Sequence, residues 1–252
     1  MVMKVFLLAG QSNLAGRAPG HEVGDTVGEE TIRMDYVCSF AGDVMTPHRS
    51  RGWGPLVVSP EHEGIVCAHF GPEIGLGRAW VEIRPNEPLA LIKHGRGATN
   101  LAEDWHPKAS KGKLLYRDFI EHVKTALLSL PAEGRTGELA ALFWVQGEAD
   151  ATRHEWAVRY EENLRQLFTQ VRADLNCPNL PVIIAQTRPG SAEAGMVDVE
   201  MVRAAQRKVA AADDHGAIVP TDDLTLLDHV HYDAPSQLRL GKRLAEAYDV
   251  LS

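Results

Sequence analysis

Val5-Phe6-Leu7-Leu8-Ala9-Gly10-Gln11-Ser12-Asn13 runs an unbroken apolar segment straight into a glycine and a serine. The run reads as a buried strand, and Gly10, lacking a Cβ, permits a tight turn at its end. Ser12 is thereby presented at the carboxyl end of a strand, where open α/β sheets place their ligands. A serine on a sharp strand-exit turn has the geometry of an activated nucleophile. The alternative is a serine that merely caps a short helix.

The far end of the chain favours the nucleophile. Asp228-His229-Val230-His231-Tyr232-Asp233 precedes a well-patterned final helix. A seryl hydroxyl needs a base that accepts its proton near neutral pH, and imidazole is suited to that task. The imidazole in turn needs an acceptor on its other nitrogen to fix its tautomer. Asp228 and His231 are three positions apart and face one way if the segment forms a single turn. Ser12, Asp228 and His231 are therefore a candidate triad.

Outward from these two stretches, strands and helices alternate, which predicts a parallel sheet covered on both faces. Strands are expected at about 3–9, 88–94, 138–145 and 181–187, with shorter ones at 32–37 and 216–219. Leu139 to Val145 and Val182 to Ala185 are near-continuous apolar runs, as in central strands buried on both sides. Helical spacing joins Ile120, Val123, Leu127 and Leu130. It also joins Trp156, Tyr160, Leu164, Leu167, Val171 and Leu175, and then Leu240, Leu244, Ala247 and Leu251. Helices are expected at about 72–83 and 197–212 as well. One domain over residues 1–252 is predicted, with a long rim loop at about 15–64. Trp53, near the centre of that loop, either stacks on a sugar ring or anchors the loop to the core. Arg96 and Trp105 carry the same two readings.

Composition narrows the partners. The chain has 252 residues, 44% hydrophobic and 24% charged, with a formal net charge of −8. That balance argues against nucleic acid and against an anionic membrane surface. No run approaches the ~18 apolar residues of a membrane span. Cys38, Cys67 and Cys177 are too few, and odd in number, for a disulfide framework. No leader of charged, apolar and small residues is visible at the start, so a cytoplasmic protein is expected. Oligomeric state is not legible.

Five blocks, in order along the chain, carry a resemblance. Gly10-Gln11-Ser12-Asn13-Leu14-Ala15-Gly16 is similar to the Gly-Gln-Ser-Asn-Met-x-Gly block of one branch of the SGNH hydrolases, the sialate O-acetylesterases and the acetylxylan esterases of carbohydrate esterase family six. Phe70-Gly71-Pro72-Glu73, Lys93 to Thr99 with Asp104-Trp105, Trp144 to Asp150, and Asp228 to Asp233 match in turn. The resemblance implies a three-layer α/β/α sandwich of flavodoxin-like type around a central, mainly parallel, five-stranded sheet. It also implies a serine esterase that removes acetyl groups from a carbohydrate through an acetyl-enzyme, with no cofactor and no metal.

Acyl transfer generates an oxyanion, and preset donors around it are a major catalytic contribution, each about 3 kcal/mol. The candidates are the amides of Ser12 and Gly97 and the side-chain amide of Gln146. Gly95, flanking Arg96 on the other side, competes with Gly97 for the second place. Gln11, Asn13, Trp53, Arg96 and Glu148 are expected to support the site or bind substrate. Two readings from other classes compete: a non-catalytic carbohydrate-binding protein on the same fold, and a metal-dependent hydrolase using Asp228, His229 and His231. Glu148 and Asp150 also admit the paired carboxylates of a glycosidase.

Overall fold

In the computed structural model, which describes residues 2–39, 48–58, 69–190 and 192–252, the opening apolar run becomes β1 (Val2–Gly10). It lies at the centre of the sheet. Alternate side chains serve opposite faces, as a two-residue period requires. Val5, Leu7 and Ala9 enter one hydrophobic cluster, whereas Phe6 and Leu8 enter the other.

Five further parallel strands complete the long part of the sheet: β2 (Arg33–Ser39), β3 (Leu89–Arg96), β4 (Thr136–Val145), β5 (Val182–Ala185) and β6 (Gly216–Val219). Their order is β6-β5-β4-β1-β3-β2, and every neighbouring pair is parallel. His48–Arg49 and Gly54–Pro55 add short antiparallel pairings to β2. The sandwich is as expected, but among the described residues six strands, rather than five, run parallel in the sheet. Within the 15–64 segment, the short strand expected at 32–37 is present as β2, extended to Arg33–Ser39. Residues 40–47 and 59–68, with His62 and Cys67, lie outside the described residues.

Helices cover both faces. α3 (Leu115–Ser129), α4 (Tyr160–Asp174) and α5 (Val199–Ala211) pack on the Val5/Leu7 side, and α2 (Pro72–Ile83) and α6 (Ala234–Leu251) on the Phe6/Leu8 side. Phe6 is ringed by Trp80, Phe143 and Tyr248 at centroid distances of 5.1, 5.1 and 4.7 Å. Trp156 falls outside α4, in a separate four-residue turn at His154–Ala157. The buried stripe of α4 therefore begins at Tyr160. Among the described residues, no helix is long and apolar enough to cross a membrane. Cys38 and Cys177 are free thiols, and burial pushes Cys38 up to about 11.

α2 and α6 cross closely because glycines face each other. A Cβ on Gly241 would stand 2.0 Å from the Pro72 carbonyl oxygen, and one on Gly75 2.1 Å from that of Leu238. Alanine at 241 gains about 1 kcal/mol of helix propensity, against overpacking of about 3 kcal/mol in a backbone contact that cannot rotate away. The crowding wins. Gly241→Ala is expected to be destabilised by about 2 kcal/mol or more in urea titrations. A variant as stable as the parent would contradict the close crossing.

Because β3 and β4 flank β1 on opposite sides, the carboxyl end of β1 is where the chain's course through the sheet reverses. Crevices form at such points.

Candidate active site

Gly10 ends β1 with its backbone against β4: a Cβ there would lie 2.0 Å from the Val145 carbonyl oxygen. Gln11 donates its amide to that same oxygen at 3.0 Å, and the chain turns at once into the single helical turn α1 (Ser12–Ala15). Gln11, not Ser12, occupies the N-cap position, and among the described residues no side chain caps the turn. Ser12 is therefore not a capping serine. It is 7% exposed and lines a cavity of about 510 Å³, together with Arg17, Gly97, Glu148, Trp156 and His231.

The turn carrying His231 is built from its own residues. Leu226 bridges Tyr232, and the Leu227 amide donates to the His231 carbonyl at 2.7 Å. Asp233 caps α6 by accepting from the Ser236 amide at 2.9 Å. Asp228 accepts from the amides of Val230 and His231, both at 2.8 Å, and its other oxygen lies 2.7 Å from His231 Nδ1. Burial alone would raise the Asp228 carboxyl. The ring and the two amides outweigh it and hold the group down at about 2. Asp228 is thus an anion beside the imidazole across the ordinary pH range, leaving Nε2 for other work.

Ser12 and His231 share the cavity, yet among the described residues no hydrogen bond joins hydroxyl to ring. Contacts of this kind are commonly loose without substrate and tighten in the reacting complex.

Asn13 joins the two distant segments. Its Nδ2 donates to the Val230 carbonyl at 3.0 Å and to Glu148 Oε1 at 2.6 Å, while its Oδ1 accepts from the Tyr232 amide at 3.1 Å. Gln237 on α6 donates to the Asn13 carbonyl at 3.0 Å. The residue after Ser12 therefore grips the backbone on both sides of His231. Glu148 stands over this clamp at 7% exposure, with Oε2 unpartnered. Burial raises its carboxyl above the usual range, against the Asn13 hydrogen bond. Gln11 Oε1 accepts from the Ala149 amide at 3.3 Å, bracing the same corner. Behind α1, Lys93 donates to the Ala15 carbonyl at 2.9 Å and pairs with Glu73 at 2.7 Å, both wholly buried.

Of the three expected oxyanion donors, the structure brings two together. The amides of Ser12 and Gly97 donate to no acceptor among the described residues, and a Cβ on Gly97 would lie 3.6 Å from that of Ser12. Gly95 lies within β3, opposite Gly10, against the backbone of Ala15 and off the cavity. Gln146 does not fit its expected place. Its Nε2 donates to the Thr99 carbonyl at 3.0 Å and to Asp150 at 2.5 Å, and its Oε1 accepts from Tyr160 at 3.0 Å. Both amide protons are engaged, so the side chain ties the end of β4 to the loop after Gly97 and faces no substrate.

At the rim the core-anchor reading of Trp53 holds, and the expected place of Arg96 at the site is corrected. Trp53 is a core anchor, its indole donating to the Ala126 carbonyl at 3.0 Å and to Ser129 Oγ at 2.9 Å. Arg96 lines a separate cavity beside His94 and His122. Trp105 is buried and donates to Thr99 Oγ1 at 3.0 Å. His94, which shows no partner in the sequence, faces His122 with Nδ1 atoms 3.4 Å apart. Among the described residues, no group of three or more His, Cys, Asp or Glu is placed to hold a metal ion.

Asp150 is also unlike its glycosidase reading. It accepts from the amides of Leu101 and Ala102 at 2.8 and 3.2 Å, clamping the loop that follows Gly97. Burial pushes its carboxyl up to about 6, opposed by those hydrogen bonds. An acid raised in the fold is stabilising only while protonated. Stability should therefore fall as pH rises from about 4 to 6, by up to about 3 kcal/mol, and then level. Asp150→Asn is expected to flatten that part of the urea stability profile. An unchanged slope would contradict the assignment.

The same fold is found in solved structures. A carbohydrate acetylesterase from Xanthomonas citri superposes with a TM-score of 0.71 at 19% identity, over 98% of this chain and 56% of that chain. NanS does so with a TM-score of 0.68 at 14% identity, over 98% and 97%. The fold is thus that of SGNH-type esterases. Residues 2–250 match the family described as carbohydrate esterase, sialic acid-specific acetylesterase, and the chain belongs to it. A probable carbohydrate esterase of Arabidopsis thaliana is 28% identical, over 97% of this chain and 90% of its own length. The protein is accordingly a carboxylic ester hydrolase of the carbohydrate acetylesterase family.

Proposed function

We propose that the protein removes acetyl groups from an acetylated sugar through an acetyl-enzyme on Ser12. His231 Nε2 takes the seryl proton as Oγ attacks the ester carbonyl, while Asp228 orients the ring and stabilises its cation. The amides of Ser12 and Gly97 hold the oxyanion. His231 then returns the proton to the departing sugar oxygen and activates the water that hydrolyses the acetyl group. One observation carries this reading. An imidazole fixed by a 2.7 Å carboxylate contact opens on the same cavity as a nearly buried serine at a strand exit.

Acetate release should be measured on acetylated xylan, O-acetylated sialic acid and small acetylated sugars. Turnover of at least one, with a fluorophosphonate adduct on Ser12, is the expected result. Sugar binding with neither adduct nor acetate would favour the non-catalytic binder. No adduct but chelator-sensitive turnover would favour the metal-dependent hydrolase.

A further inference from the structure

Among the five tryptophans, one differs from the rest. Trp53, Trp80, Trp105 and Trp144 are buried, and each indole N–H donates inside the protein. Trp156 is partly exposed, and its N–H has no acceptor among the described residues. It lines the cavity that holds Ser12 and His231. Arg153, on the same wall, sets its guanidinium 4.2 Å from the indole centroid. That cation makes no ion pair or hydrogen bond of its own among the described residues.

The combination has a chemical meaning. A large aromatic at the mouth of a catalytic cavity leaves apolar surface in water unless a ligand covers it. The guanidinium lies over one face of the ring, where it stiffens the pair and brings five donors close to the indole, and a ligand would use the other face. Flat apolar surface bordered by unpaired donors, with no acceptor of its own, suits a pyranose. Its C–H face is apolar, and its rim carries hydroxyl and ring oxygens that accept hydrogen bonds.

We infer that Trp156 and Arg153 form the platform for the sugar on the alcohol side of the ester, the ring resting against the indole and its oxygens accepting from Trp156 and Arg153. The inference rests on the esterase reading above, and it assigns sugar selectivity to a pair that takes no part in bond making. An acetyl ester whose alcohol has no ring gains nothing from the platform.

The test compares ethyl acetate with an acetylated methyl xylopyranoside and an O-acetylated sialic acid. Trp156→Ala is expected to raise KM at least about tenfold on whichever sugar ester the parent prefers. Its kcat/KM on ethyl acetate should stay within about threefold of the parent, and Trp156→Phe should recover most of the loss. Arg153→Ala, the milder change, should move the sugar ester alone in the same direction. Equal losses on ethyl acetate and sugar ester, or no loss on the sugar ester, would overturn the platform. A parent that hydrolyses none of these esters would instead defeat the esterase reading. Titration calorimetry with xylobiose and N-acetylneuraminic acid then decides the platform alone. Binding to the parent that Trp156→Ala abolishes supports it; no binding of either sugar overturns it.

Discussion

Ser12→Ala is expected to lower kcat on an aryl acetate by at least about 10⁴-fold, or about 5 kcal/mol of transition-state stabilisation. Loss of one triad member removes nucleophilic attack, while the oxyanion donors and substrate binding remain. Stability should move differently. The Ser12 hydroxyl has no hydrogen-bond partner among the described residues, so its removal strands no buried donor or acceptor. The urea midpoint should therefore shift by less than the equivalent of about 0.5 kcal/mol. Activity within tenfold of the parent would exclude Ser12 as the nucleophile. A large loss of both activity and stability would mean that the hydroxyl had a structural duty after all.

Asn13→Leu should damage stability and activity together. The side chain is 1% exposed and bonds to Glu148, Val230 and Tyr232. Leucine would leave a buried carboxylate oxygen, a carbonyl and an amide without partners. At about 1–3 kcal/mol for each orphaned group, a loss of about 3–5 kcal/mol is expected in urea denaturation. His231 is released at the same time, because its flanking backbone is no longer tied to the turn bearing Ser12. A displacement of about 1 Å at a reacting group costs about 10²-fold, so kcat should fall by roughly that factor in the folded fraction. Asn13→Asp, nearly isosteric, should fare no better, since it exchanges a donor for a second carboxylate against Glu148. Wild-type kcat in either variant would show that the clamp does not place His231.

Much of this was legible along the chain, for reasons visible in single elements. β1 and β4 are apolar on both faces, and only strands covered on both sides show such runs. α3, α4 and α6 announce themselves by helical spacing. Asp228 and His231 could be paired from sequence because a turn of four residues brings them together locally. The strand β2 was legible only as a short one at 32–37. Its burial is uneven and its sequence, Arg33-Met34-Asp35-Tyr36-Val37-Cys38-Ser39, alternates imperfectly.

The misjudged residues share one property: their role depends on what lies opposite. Gln146 sits at a strand exit, as an oxyanion donor would, but Thr99 and Tyr160 reach it from other segments, alongside Asp150 from the loop that follows β4. Trp53 and Trp156 both looked ambiguous or ordinary in one dimension. The first found a carbonyl and a hydroxyl on α3, and the second found only Arg153 and open space. No local pattern distinguishes them.

Periodicity and turn chemistry determined, by themselves, the layered α/β class, the strand exit that presents Ser12, and the Asp228–His231 pair. Each is a property of neighbours within a few residues. Only the tertiary structure decided that Asn13 would bolt residues 12 and 231 together, that Gln146 would face inward, and that the aromatic beside the cavity would be Trp156. Hydrogen-bond saturation and burial are set by groups far away in sequence, so they exist only once the sheet has brought those groups together.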